Sequence, residues 1–228
     1  MQKYIFAVLL SASVTLAGAS ARADTILGFT NRTTFNGNDS ANWNQLGASG
    51  AAIPNPFSAN STGGVHIMGS FAVAGGTGQV LVQGTSFSGN FAAGDFLIST
   101  TANGNGPLTL AFSQGITGGG AQIQEDFFGA FTAQLQAFNG STLLGAFSEP
   151  GNSNSAGDNS AIFIGVKDLS GPNITNLVFS VTSCAIPTCT DFAINRLSLD
   201  TRRIPEPSTI LLFLSAVAVF AILRPRIF

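Results

Sequence analysis

The residues able to do chemistry in this chain are few and far apart. One histidine, His66, two cysteines, Cys184 and Cys189, and eleven acids are its whole stock of imidazole, thiol and carboxyl side chains. A Ser-His-Asp triad would have to use His66, yet Val65-His66-Ile67 reads as one position in a strand, which favours a structural histidine. Glu125-Asp126 is a pair of adjacent carboxylates, and Asp95, Asp158, Asp168 and Asp191 could approach one another only through the fold. A glycosidase needs two carboxyls at a defined separation in a groove, which chain spacing alone does not establish. The runs Gly75-Gly76-Thr77-Gly78 and Gly118-Gly119-Gly120 lack the strand-to-helix context of a phosphate cradle and read as turns. Two thiols would need two further ligands to hold a metal, and His66 is remote in sequence. Calcium suits loops such as Asp158 with Asn159, or Asp191, but no dense Asp-x-Asp pattern is present. The sequence therefore assigns no catalytic residue, no cofactor and no metal ligand.

What must position these residues starts with the two ends of the chain. Met1 to Ala23 reads as a secretory signal peptide: Lys3 gives the positive start, Tyr4 to Leu16 the apolar stretch, and Ala21-Arg22-Ala23 a small-x-small cleavage site before Asp24, with a cut after Ala21 as the alternative. At the other end, the uncharged run Ile210 to Leu223 is broken only by Ser215. As a helix at about 1.5 Å per residue it covers roughly 21 Å, short of a hydrocarbon core of about 30 Å. Ser208 and Thr209 with the snorkelling ends of Arg224 and Arg226 bring 208–223 closer to spanning, and arginines on the far side only would be retained in the cytoplasm. Both ends then place 24–203 outside the cytoplasm. In that oxidising setting Cys184 and Cys189, spaced C-x4-C around Pro187, are expected to form a disulfide.

The tail carries more than a hydrophobic run. Pro205-Glu206-Pro207-Ser208-Thr209, the apolar segment Ile210 to Leu223, and Arg224 with Arg226 follow in that order, and the combination resembles the PEP-CTERM sorting signal of bacterial exported proteins. The resemblance covers 204–228. It implies Pro205, Glu206 and Pro207 as the sorting motif, Arg224 and Arg226 as the cytoplasmic basic stop, an exosortase as membrane-embedded processing partner, and a link to exopolysaccharide and biofilm. This copy lacks Trp and Gly in its hydrophobic run, and Pro225 interrupts the basic tail. The segments Gly157 to Val166 and Asp191 to Asn195 are also similar to the β-sandwich bodies that often precede this signal, which share no common activity.

Composition bounds the body between these ends. Region 24–203 is of single-domain size and carries five cations, Arg32, Lys167, Arg196, Arg202 and Arg203, against ten acids. So sparse and acidic a set of charges gives no electrostatic footprint for nucleic acid. With charged residues at 9%, the surface must be covered by Asn, Ser, Thr, Gln and Gly. Phe, at twenty residues, dominates over one Trp and one Tyr and reads as core, so the usual Trp/Tyr platform for sugars is nearly missing. Trp43 reads as ordinary packing.

Short strands separated by turn residues fill the body. Thr25 to Thr30 opens it, followed by a long Asn/Gly/Ser/Pro-rich loop to Gly64 with room for one strand. Val65 to Met68, Phe71 to Ala74 and Gln79 to Gln83 come next. Phe96 to Thr101 and Leu108 to Phe112 flank Asn103-Gly104-Asn105-Gly106, which predicts that they pair as a hairpin. From Ala130 to Phe138, Phe131, Ala133, Leu135 and Ala137 alternate with Thr132, Gln134 and Gln136 at a period of two. Asn139-Gly140 then turns the chain into Leu143 to Phe147; a helix over Gln122 to Phe138 is the weaker alternative. After a polar loop, Glu149 to Asn159, come Ala161 to Val166, Ile174 to Ser183 and Phe192 to Leu199, the last with a bulge at Asn195-Arg196. The expected fold is all-β, an antiparallel jelly-roll-like sandwich, with a single C-terminal transmembrane helix. The expected function is that of an exported, non-enzymatic surface or matrix-associated protein. An extracellular carbohydrate-binding or carbohydrate-active domain is the alternative.

Overall fold

A computed structural model of the protein describes residues 25–72, 78–101, 104, 106–186, 189 and 191–202. The signal peptide, the Pro205-Glu206-Pro207 motif, the apolar tail, Arg224 and Arg226 lie outside the described residues. Among the described residues no helix is long and apolar enough to cross a membrane.

The body is all-β: two antiparallel sheets that face one another. The strands in chain order are β1 (Ile26–Phe29), β2 (Asp39–Ala41), β3 (Ala52–Ile53), β4 (Phe57–Asn60), β5 (His66–Phe71), β6 (Gly78–Val82), β7 (Phe96–Ser99) and β8 (Leu108–Ile116). They continue with β9 (Gly118–Glu125), β10 (Gly129–Asn139), β11 (Thr142–Ser153), β12 (Ile162–Asp168), β13 (Ile174–Cys184), β14 (Phe192–Ile194) and β15 (Leu197–Asp200). The six-stranded sheet runs β11-β10-β13-β8-β5-β4, and the nine-stranded sheet is built around β9. One edge of β9 pairs with β12, which passes the sheet on to β1. The other edge is shared by β15, which leads to β2, and β14, which leads to β7, β6 and β3.

Alternation builds the core between the sheets. Phe131, Ala133, Leu135 and Ala137 of β10 point inward beside Leu177, Phe179 and Val181 of β13, against Ala121 and Ile123 of β9 and Ile164 and Val166 of β12. Each fully buried Leu, Ile or Phe contributes about 1.5–3 kcal/mol by leaving water. The predicted hairpin around Asn139-Gly140 is present, with Phe131 opposite Gly151 and a register shift at Ala137/Phe138.

Five expectations are corrected. Phe96–Thr101 and Leu108–Phe112 do not pair: β7 already has β6 on one edge and β14 on the other, so the chain crosses to the opposite sheet, where β8 sits between β5 and β13. Gly118-Gly119-Gly120 is no turn but the start of β9. A Cβ on Gly120 would stand 2.5 Å from Gly165 Cα, so the β9–β12 approach itself requires glycine there. Val65–Met68 and the start of the next predicted strand form one strand, β5, because the Gly69 between them leaves space for the Phe57 ring, 2.0 Å from where its Cβ would be. Glu149 to Ser153 belongs to β11 rather than to a loop; β11 is an edge strand, so Pro150 costs no ladder bond on its open side. The stretch read as a long loop folds into a one-turn α-helix (α1, Arg32–Phe35), a 3-10 turn (Trp43–Leu46) and three short strands. The bulge at Asn195-Arg196 does form, and it lets β14 and β15 follow one another along a single edge of β9.

Candidate functional site

Among the described residues the sequence-derived candidates His66, Asp158 and Asp168 bond their own local partners rather than one another. His66 is exposed on the outer face of β5 and uses its backbone N–H to bond Ser113. Asp168 is buried and organises its own turn, accepting from Ser170 N, Ser170 Oγ and Asn173 Nδ2 at 2.7, 2.5 and 2.9 Å. Asp158 does the same on the surface with Ser160, whose hydroxyl and N–H hold the carboxyl below its usual range. Glu125 is only 1% exposed. Among the described residues no three His, Cys, Asp or Glu side chains gather as metal ligands. Cys184, the last residue of β13, and Cys189, in the loop that follows, stand at disulfide distance, with Cα atoms 5.6 Å apart.

Two of the acids do meet. Asp126, just past β9, and Asp191, just before β14, line a hollow of about 460 Å³ with Ser86, Ser99 and Phe128, and Asp126 N donates to Asp191 O at 2.9 Å. Partial desolvation, then the charge of Asp191, raise the Asp126 carboxyl above its ordinary value. Phe127 and Phe128, about half exposed, stand next to it.

A more elaborate arrangement surrounds Arg32, a residue the sequence did not single out. Asn31 caps α1 by accepting from Thr33 N and Thr34 N at 2.7 and 3.2 Å, and Asn36, in the left-handed region, closes the turn on Arg32 O. Phe35 pins that turn down: it is fully buried, 5.6 Å from both Phe29 and Phe163 between ring centroids. The Arg32 guanidinium consequently lies over the Phe163 ring at 5.5 Å and reaches the bulge between β14 and β15. There it donates to Asn195 Oδ1 at 2.7 Å and to Arg196 O at 3.0 Å.

Asn195 is the hub. Its Oδ1 also accepts from Gln122 N at 3.0 Å, and its Nδ2 donates to Gln122 Oε1 and Asp95 Oδ2 at 2.7 and 2.8 Å. Its own N–H donates to Gln122 O, and its carbonyl accepts from Trp43 Nε1 at 2.7 Å. The side-chain amide thus replaces the ladder bond that the bulge removes, and Trp43 packs with no exposed surface. Gln122 hands the network on, donating to Asn159 Oδ1 and Ala161 O.

Arg32 and Arg196 face an open groove of about 710 Å³, rimmed by Asn31, Thr33, Asn159, Ser160 and Glu149. Both also line the two neighbouring hollows, one of which contains Asp95. Burial, and then the like charge of Arg196, lower the Arg32 guanidinium to about 10 against the opposing pull of Asp95. Among the described residues the ion pairs are Lys167 and Arg202 with Asp200, so neither groove arginine has a carboxylate in contact. Arg32 Nε is buried without any hydrogen-bond partner among the described residues.

Comparison with known proteins finds no family model that matches this chain and no curated protein that matches it. The structure by itself defines the class, an all-β sandwich. A sequence signal that pointed toward the arginine site was the predicted bulge at Asn195-Arg196; the pairing of Arg32 with it depends on a contact across 163 residues.

Proposed function

We propose that this chain is an exported, non-enzymatic surface protein of the PEP-CTERM kind whose sandwich associates with extracellular polysaccharide. In this reading Met1 to Ala23 is removed on export, the jelly-roll-like body is extracytoplasmic, Pro205, Glu206 and Pro207 are the motif presented to an exosortase, and 208–223 crosses the membrane ahead of Arg224 and Arg226.

The observation that supports it most is how the sandwich ends. β15 lies inside the nine-stranded sheet between β9 and β2, so the last strand before the tail is flanked on both edges. At its end Asp200 accepts from Lys167 Nζ at 2.5 Å, and from Arg202 Nε and Nη2 at 2.8 and 2.6 Å. Arg202 also donates to Asn36 O at 2.7 Å, and Thr117 Oγ1 donates to Arg202 O. Two residues later the Ile204-Pro205-Glu206-Pro207 stretch begins. A clamp at that place suits a body held, and pulled, by its tail.

Mass spectrometry of the protein recovered from the cell surface of a host with an active exosortase tests this reading. A C-terminus shortened to a point ahead of Arg224 is expected. An unmodified Phe228 on the exported protein, or a reporter fused after Asp24 that stays in the cytoplasm, would overturn it. The Asp126–Asp191 hollow, with its raised carboxyl, favours a second reading as a glycan hydrolase, and release of reducing ends by the purified protein would establish that instead.

A further inference from the structure

We infer that the groove between Arg32 and Arg196 is a carboxylate-binding site that takes a uronate unit of an acidic glycan. The inference deepens the reading of the sandwich as a polysaccharide-associated body and rests on it.

The first argument is unspent cationic capacity. A guanidinium taken out of water is costly unless paired, and the carboxylate closest in effect to Arg32, Asp95, has one oxygen committed to Asn195 Nδ2. Arg32 satisfies Nη2 with two neutral acceptors and has no carboxylate in contact among the described residues, and its Nε, also unpartnered there, is buried away from the groove. Arg196 is exposed, its guanidinium has no acceptor among the described residues, and its charge bears on Arg32. A planar carboxylate matches the two-donor fork of a guanidinium and would relieve the repulsion between the arginines. The site is also preorganised: the Asn195 hub, the capped turn of α1 and the Phe163 ring fix Arg32 before any ligand arrives.

The second argument concerns what carries the carboxylate. The rest of the rim is neutral and hydrogen-bonding, with Asn31, Thr33, Asn159 and Ser160 all exposed, which suits a body covered in hydroxyls. The groove is of the size of ligand clefts in general. Glu149, the one acid on this rim, opposes dense anions such as phosphate more strongly than a singly charged sugar acid.

The chain's only tryptophan reports on the site, because Trp43 Nε1 donates to the carbonyl of Asn195, the residue before Arg196. Titration of full-length protein in detergent with short oligogalacturonate, followed by Trp43 emission and by calorimetry, should show saturable binding. Its methyl ester, the same sugar with the charge masked, should bind about tenfold more weakly or worse. Arg196→Gln should weaken binding of the acid by about tenfold while leaving the ester and the circular dichroism unchanged, because Arg196 holds nothing together through its side chain. Glu149→Gln should tighten it by about threefold. Equal binding of acid and ester, or an unaffected Arg196→Gln protein, overturns the carboxylate site while leaving polysaccharide association standing. Equal binding of polyglutamate or inorganic phosphate overturns the glycan assignment. Failure to bind oligogalacturonate, its ester and neutral glucan oligomers alike overturns both this inference and the polysaccharide association beneath it.

Discussion

The two outer faces of the sandwich are made by the same alternation and come out as opposites. On the six-stranded sheet the outward residues, among them Thr132, Gln134, Gln136, Ser180 and Thr109, meet water directly, and His66 is the one ionisable side chain among those of its four central strands. On the nine-stranded sheet the outward residues of the central strands β7, β9 and β14 are roofed over, while Leu27 on the edge strand β1 stays about half exposed. Leu81, Leu97 and Ala193 join Phe87, Phe91 and Ala161 in a second, smaller core, and Gln122, Gln124 and Asn195 are buried beside it. Water cannot satisfy those amides, so the roof must. Gln124 Oε1 accepts from Asn90 N at 2.6 Å and its Nε2 donates to Ser153 Oγ at 2.7 Å, while Asn90 Nδ2 bridges to Asn154 and Ser160. All four described cations lie on this roofed side. A flat strand face offers no concavity, whereas loops laid on a sheet leave grooves at their margins, and that is where the charge collects.

The contrast breaks first at Asn195. Asn195→Ala orphans Gln122 N, Gln122 Oε1, Asp95 and part of Arg32 at once, each such loss costing about 1–3 kcal/mol when buried, so a destabilisation of about 4 kcal/mol in urea unfolding is expected. A cost under about 1 kcal/mol would mean that the hub is decoration.

The clamp at the strand exit comes next. Burial resists ionisation of Asp200, but the hydrogen bonds from Arg202 and Lys167 outweigh it and hold the carboxyl at about 2. A carboxyl depressed by folding stabilises the protein above its unfolded value, near 3.8, and that contribution disappears as pH falls through the folded value. Asp200→Asn should therefore cost about 3 kcal/mol at neutral pH, chiefly by leaving the largely buried Lys167 unpaired. The gap between the two proteins should narrow as pH drops from about 4 to about 2. Urea midpoints of both proteins across that range give the answer, and a gap independent of pH would rule out the ionised clamp.

How much of this was legible in the sequence follows from the range of each interaction. The β10–β11 hairpin could be read because Asn139-Gly140 and the period-two alternation are local, and the bulge at Asn195-Arg196 because a break in phase is local too. The β7–β8 hairpin was misread for the complementary reason: the turn residues at 103–106 are strong hairpin signals, yet pairing depends on which edges are free, and β6 and β14 occupy both edges of β7. Gly118-Gly119-Gly120 was misread as a turn because the close approach of β12 that demands it is invisible until β12 is placed. The Arg32 site was beyond reach on the same grounds, since Arg32, Asp95, Gln122 and Asn195 come from four distant segments. Asn31 and Asn36 bounding Arg32-Thr33-Thr34-Phe35 were the local sign of the capped turn that carries it.

The smallest effect tests the bare face and gives the comparison its baseline. Gln134 lies in the middle of β10, opposite Ser148 and Ser180, and its one side-chain bond, to Ser148 Oγ at 3.4 Å, is long and solvent-exposed. Its amide stays hydrated on both sides of the folding equilibrium, so Gln134→Ala removes no buried partner and leaves no orphan. The expected change in unfolding free energy is within about 0.5 kcal/mol, from a residue type that on the roofed side, as Gln122 or Gln124, is held by several bonds each. If Gln134→Ala instead cost as much as Gln122→Ala in the same urea titration, the six-stranded face would have to be covered by something in the folded protein, and the distinction between a roofed and an open side would fail.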